Sequence, residues 1–224
     1  MSITSVNPAT NETIREFEPL HKDDAMQAIE TAHKAFQEWR STSFEERKKC
    51  ILKFAELLRA DSDEYARMIT LDMGKRISEA QYEIEYCANI AEFYANGAEE
   101  FLADTPMERV DANAYLHYEP IGVLMGVMPW NFPFYQVVRF ATPNIMAGNT
   151  VMVKHASNVP QCASAIEELY NDCGLPNGVY QNLFIPSDFV DSIISDSRVQ
   201  GVSLTGSEPA GRAVAAQAGK NLKR

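Results

Sequence analysis

The chain lacks long hydrophobic runs, an excess of positive charge and closely spaced cysteines, and each absence removes a class of function. Its longest apolar stretch, residues 121–133, is broken by glycine and proline. It also falls short of the roughly 20 residues that cross a bilayer, so no membrane span is expected. The 31 Asp+Glu outnumber the 20 Lys+Arg and leave a formal net charge of −11. Nucleic acid and anionic membrane surfaces are bound through clustered positive charge, so neither is an expected partner. The opening Met1-Ser2-Ile3-Thr4 lacks the basic-then-apolar order of a secretory signal. The four cysteines, Cys50, Cys87, Cys162 and Cys173, form no close pair and read as reduced thiols of a cytoplasmic protein. The four histidines, His21, His33, His117 and His155, show no metal-ligand spacing with each other or with the cysteines, so no metal is predicted. No internal repeat or low-complexity segment is visible. What is present, 46% hydrophobic and 23% charged residues over 224 positions, suits an ordinary folded core.

The first hundred residues carry helical periodicity. Asp23 and Asp24 are placed to cap a helix with Ile29, Ala32, Phe36 and Trp39 on one face. Ser43 and Glu46 form a capping-box pattern ahead of Ile51, Phe54 and Leu58. A third helix runs through Tyr65, Ile69 and Met73 to a stop at Gly74. The stripe Ala80, Ile84, Cys87, Ala91, Tyr94, Ala98 and Phe101 predicts a long buried helix. Beyond Asp104-Thr105-Pro106 the pattern changes, and residues 114–127 are strand-like. A helix over 135–146 is expected to be interrupted or shortened at Pro143, followed by a buried strand over 150–154. A helix over 161–172, a strand over 179–185, a short helix over 189–194, a strand over 200–204 and a helix after Ser207 complete the alternation. Apolar strands alternating with helices predict a parallel sheet covered by helices, an α/β fold. The expected division is a helical part over 1–102, bridging strands over 103–118 and a Rossmann-like core over 119–224.

Three stretches are equipped for chemistry. Thr205-Gly206-Ser207-Glu208-Pro209 places a capping serine and an early proline at a helix start, where free amides and the dipole suit a phosphate. Gly206 leaves room for a close approach, Glu208 adds unwelcome negative charge, and alone the stretch is that of any capped helix. Lys154 ends a buried strand, where open α/β sheets bind ligands, although a solvated strand terminus reads the same way. Pro129-Trp130-Asn131-Phe132-Pro133 is the strongest local signal. An amide in a rigid, apolar loop is costly unless it has a partner. Such an amide can donate to an oxygen that becomes negative during acyl chemistry, a contribution of roughly 3–4 kcal/mol. The alternative is an asparagine that ties down its own loop; the setting favours the functional reading. None of the four cysteines is assigned as a nucleophile, His155 reads as a solvent-edge residue, and Asp61-Ser62-Asp63 and Asp23-Asp24 read as caps.

At these residues the chain resembles the NAD(P)-dependent aldehyde dehydrogenase superfamily, in its N-terminal part. The likeness runs from Asn7-Pro8-Ala9-Thr10 through Met128-Pro129-Trp130-Asn131-Phe132-Pro133, Ala147-Gly148-Asn149-Thr150, Val153-Lys154 and Gly174-Leu175-Pro176 to Leu204-Thr205-Gly206-Ser207. Lys154-His155-Ala156 and the run from Gly206 to Gly211 look most like the succinate-semialdehyde subgroup. The resemblance implies roles by position: Asn131 as the oxyanion amide, with Met128, Pro129 and Trp130 in the loop lining the cofactor and substrate channel. It implies Lys154 at the adenosine ribose, and Gly206 and Ser207 at the pyrophosphate-binding helix. Many NAD-specific relatives carry Glu where this chain has Ser157, and a small hydroxyl leaves room for a 2′-phosphate beside Lys154. NADP or NAD is therefore the implied cofactor, with NADP tolerated or preferred. The implied substrate is a small aldehyde, succinate semialdehyde first, and the bridging strands imply a homodimer or homotetramer. Pro186-Ser187 departs from the glycines relatives often place there. The family's nucleophilic cysteine and water-activating glutamate are expected beyond Arg224. Were the 224 residues complete, a non-catalytic nucleotide-binding or assembly subunit, or a remnant that binds nothing, would be the alternatives.

Overall fold

The computed structural model describes residues 3–108 and 113–224. Met1 and Ser2 of the N-terminal reading, and residues 109–112 within the expected bridging segment, lie outside the described residues.

Helix α1 (Lys22–Trp39) buries Ala25, Ile29, Ala32, Phe36 and Trp39 along one face. Its N-cap is His21, without a side-chain cap bond, and Asp23 and Asp24 lie inside the first turn. The aspartates thus meet the positive end of the helix dipole rather than capping it. Helix α2 (Phe44–Ala60) opens on the expected reciprocal box, with Glu46 N donating to Ser43 Oγ at 3.2 Å and Ser43 N to Glu46 Oε2 at 2.8 Å. Helix α3 (Ser62–Met73) follows an Asp61 N-cap that makes no side-chain cap bond and ends on Gly74 at φ 78. That left-handed residue turns the chain so that Lys75 is buried. Helix α4 (Ile77–Phe101) buries Ala80, Ile84, Cys87, Ala91 and Ala98 as predicted, while Phe101 is exposed.

Two strands in this helical region escape the periodicity. Strands β1 (Ile3–Val6) and β2 (Thr13–Phe17) form an antiparallel hairpin. Four of the five β2 residues are exposed, so no alternation marks the strand in the sequence. Strands β3 (Thr105–Met107) and β4 (Ala114–Leu116) make a second antiparallel pair within the expected bridging segment. The strand-like stretch over 114–127 is divided between two sheets, because β4 stops at Leu116 and β5 (Val123–Met128) starts after Gly122. Gly122 has φ 137, and a Cβ there would lie 2.8 Å from Gln200 Cγ.

Strand β5, β6 (Thr150–His155), β7 (Tyr180–Asn182) and β8 (Val199–Leu204) form a parallel sheet in the order β7-β6-β5-β8. Helix α5 (Pro133–Met146) runs through Pro143 without interruption, contrary to expectation. Close to the helix end the missing amide removes one bond and leaves the last turn intact, with Ala147 N bonded to Pro143 O at 2.9 Å. Helix α6 (Pro160–Asp172) follows β6, and regular pairing in β7 covers three residues rather than 179–185. A 3-10 turn, Ser187–Phe189, leads into α7 (Val190–Ser195), and α8 (Glu208–Lys220) follows β8. Beyond α8, Arg224 bonds to β8 through Arg224 N to Gln200 O (3.1 Å) and Val202 N to Arg224 O (2.8 Å). One core gathers α2 to α6, with Phe54 stacked on Tyr170 at 4.2 Å. A second packs α1 and α7 on Val123, Met125 and Met152 from the sheet.

Candidate functional site

The parallel register brings the expected residues to one sheet edge. Val127 lies opposite Lys154 and Leu204, and Met128 opposite His155, so the loops after β5, β6 and β8 emerge side by side. Thr205 N donates to Val127 O at 3.1 Å, which fixes the start of the Gly206-Ser207 turn against β5. Carboxyl ends of parallel strands are where open α/β sheets take their ligands.

After the buried Met128, the loop carries Trp130, 49% exposed, and Asn131, also exposed. The desolvation argument made for Asn131 therefore does not hold for this chain. The competing view, an asparagine securing its own loop, fares no better: among the described residues its side chain makes no hydrogen bond. What secures the loop is a set of residues that the sequence did not single out. Glu83 of α4 is buried, and its Oε1 accepts from Phe134 N at 2.9 Å and Tyr135 N at 3.0 Å, two free amides of the first α5 turn. Its other oxygen pairs with the buried Lys75, whose Nζ also lies 3.7 Å from the Phe132 ring centre. His155 corrects the expectation of a solvent-edge residue, being 5% exposed. Its Nε2–H donates to Pro133 O at 2.9 Å while Nδ1 accepts from Ala156 N at 2.8 Å. These partners fix a neutral tautomer, and burial pushes the imidazole pKa down to about 4.

Lys154 and Ser157 line a cleft of about 700 Å³ with Ile3, Thr4, His21, Lys22 and Ser187. Two lysines and no carboxylate line it, in a chain whose net charge is −11. Lys154 is half-buried, and burial holds its ammonium below the usual lysine pKa range, with no acidic partner among the described residues. Such a cation is able to take an anion that arrives from outside. Trp130 lines an adjoining hollow of about 430 Å³, to which Thr4 and Asn158 also contribute. Gly206 and Ser207 lie two strands from Lys154, roughly 10 Å across the sheet, and do not line the cleft. Ser207 caps α8 as expected, accepting from Ala210 N at 3.5 Å. Glu208, the negative charge that argued against a phosphate, is paired to Arg212 at 2.7 Å. A Cβ on Gly206 would meet only Leu204, at 3.5 Å, so nothing inside the chain demands glycine there.

Arg139 was also missed. It is exposed on α5, its Cζ lies 5.3 Å from the Tyr135 ring centre, and Tyr135 in turn contacts Phe132 at 6.0 Å. Burial raises the thiol pKa of Cys50, Cys87, Cys162 and Cys173, so none is poised as a thiolate. Among the described residues no cluster of three or more metal-ligating side chains occurs, and no helix is long and apolar enough to cross a membrane. One sequence signal for Glu83 was available: it is a carboxylate set inside the apolar stripe of α4, between Ala80 and Cys87.

Residues 1–224 match the aldehyde dehydrogenase family. The chain is 46% identical over 226 residues to succinate-semialdehyde dehydrogenase [NADP(+)] 1 of Mycobacterium tuberculosis, covering 100% of this chain and 50% of that protein. It is 42% identical over 224 residues to a probable succinate-semialdehyde dehydrogenase [NADP(+)] of Synechocystis, covering 100% and 49%. Among solved structures, succinic semialdehyde dehydrogenase from Streptococcus pyogenes in complex with NADP+ superposes with a TM-score of 0.96 at 43% identity, over 98% of this chain and 49% of that one. The chain thus spans about half the length of the relatives it matches.

Proposed function

From the premise that this chain belongs to the aldehyde dehydrogenase family, we propose that it is the cofactor-binding part of an enzyme that oxidises succinate semialdehyde to the acid with NADP. The observation that carries the cofactor reading is the carboxylate-free cleft, where a half-buried Lys154 has no acidic partner among the described residues and Ser157 leaves room for a phosphate. Lys154 and Ser157 would hold the adenosine ribose and its 2′-phosphate, and Gly206 and Ser207 the diphosphate at the α8 N-terminus. The dinucleotide, when bound, supplies the hydride acceptor. The relatives' names, which specify NADP(+), support the same choice. NAD remains usable to the extent that Lys154 alone holds the ribose.

On the substrate side, Asn131 presents an unengaged amide at the mouth of the sheet edge, flanked by Met128, Pro129 and Trp130. Its N–H groups would donate to the aldehyde oxygen as that oxygen gains charge during thiol attack. The attacking thiol, and the carboxylate that activates water against the thioester, would come from outside these 224 residues, since all four cysteines here are held as thiols. A substrate bearing a distal carboxylate finds a cation in Arg139, reached from the Asn131 loop along Phe132 and Tyr135. The β3–β4 pair exposes Tyr115 and Leu116, an apolar edge suited to a second copy of the chain in a homodimer or homotetramer. Steady-state kcat/KM with NADP and NAD, using succinate semialdehyde, tests the proposal. A higher value with NADP is expected, and strict dependence on NAD would overturn it.

A further inference from the structure

The aldehyde chemistry outlined above leaves a buried ion pair unused. Lys75 and Glu83 have side chains 6% and 1% exposed, in a chain where ion pairs such as Lys34–Glu30 and Arg212–Glu208 lie in solvent. Burying both charges is costly, and replacing such a pair with apolar groups is often neutral or stabilising. Stability alone is therefore a poor reason for its presence.

What the pair touches is the segment that carries Asn131. Glu83 takes the amides of Phe134 and Tyr135, Lys75 lies against the Phe132 ring, and His155 holds the Pro133 carbonyl. Every residue from 132 to 135 is thus held by a side chain from the α3–α4 link, α4 or β6. Among the described residues the Asn131 side chain makes no hydrogen bond, so the point from which its amide extends is fixed only through the backbone that these neighbours hold. The charge balance matters as well. A lone carboxylate at the α5 N-terminus would be bonded three and four residues along from Asn131 and oppose the negative charge that the amide is proposed to stabilise. Lys75 cancels it.

We propose that Lys75 and Glu83 are positioning residues for the Asn131 amide, Glu83 by fixing the first turn of α5 and Lys75 by neutralising Glu83 and seating Phe132. This role rests on the oxyanion reading of Asn131. A displacement near the chemistry is expensive even when small, up to about a hundredfold in rate for 1 Å.

The test is a set of variants in the enzyme that contains this chain: Lys75→Met, Lys75→Met with Glu83→Gln, and Asn131→Ala alone and with each. Lys75→Met should lower kcat by about ten- to a hundredfold, with the KM for NADP changed by less than about twofold. The double variant, in which glutamine still accepts from both amides and no charge is left unpaired, should lose less than Lys75→Met. In the Asn131→Ala background neither should lower kcat by more than about twofold, because the group being positioned is gone. Equal losses with and without Asn131 would overturn the positioning role while leaving Asn131 in place. Unchanged turnover in Asn131→Ala alone would remove the oxyanion reading and this proposal with it. If Lys75→Met does not fold, the double variant carries the same comparison.

Discussion

The two parts of the site are built on opposite electrostatic plans. Around the Asn131 loop every buried charge is answered from within: Lys75 meets Glu83, Glu83 meets two amides, and His155 is neutral with both ring nitrogens engaged. At the cleft, Lys154 is half-buried with no carboxylate among the residues lining it. A region that must hold an atom in place is complete before any ligand arrives. The region proposed to take an anion is left with unmatched positive charge.

The contrast can be broken at the clamped end first. Asn131→Ala should lower kcat by about a hundred- to a thousandfold with little change in the KM for NADP, which steady-state kinetics reads directly. Glu83→Ala should cost about 3–5 kcal/mol of stability by stranding Lys75 in the interior, measured as a lower denaturation midpoint in urea. Acid acts on the same clamp through His155, whose pKa falls from its ordinary 6.5 to about 4 on burial. On acidification the unfolded chain takes up the proton first, so the native state is favoured in full above pH 6.5 and progressively less as pH drops toward 4. The loss amounts to roughly 3 kcal/mol. Urea melts across that range should show it, and His155→Gln should flatten the slope. At the open end, Ser157→Glu should shift the NADP-to-NAD ratio of kcat/KM toward NAD by about ten- to a hundredfold, as a carboxylate meets the 2′-phosphate. The smallest effect is expected at Arg139→Met, a KM for succinate semialdehyde raised by about tenfold, with an uncharged aldehyde unaffected.

What the sequence disclosed divides along the same line as contact range. Ser43 with Glu46, Gly74 and Ser207 are caps whose partners lie within four residues, and all three were legible. The parallel strands were legible too, since burial on both faces leaves continuous apolar runs such as Val151-Met152-Val153. The Asn131 loop stood out by its composition, whereas the end of β6 at Lys154 and the start of α8 at Ser207 stood out only through the family resemblance. Their supports were not legible. Glu83 reaches its amides across 51 residues, His155 its carbonyl across 22 and Asp72 the Cys162 amide across 90. No local pattern encodes such a partner. Pro143 misled for the converse reason, because a residue that breaks a helix in the abstract is tolerated near its end.

The N-terminal hairpin, easily dismissed as peripheral, has a reach out of proportion to its size. Ser5 Oγ donates to Asp72 at 2.5 Å, and Asp72 caps the α6 N-terminus through Cys162 N at 3.1 Å. The neighbouring Ile3 and Thr4 wall the cleft that Lys154 lines. An affinity tag at this end is therefore not a neutral convenience in the laboratory: whatever disturbs the first strand reaches the wall of the Lys154 cleft and the anchoring of α6 together.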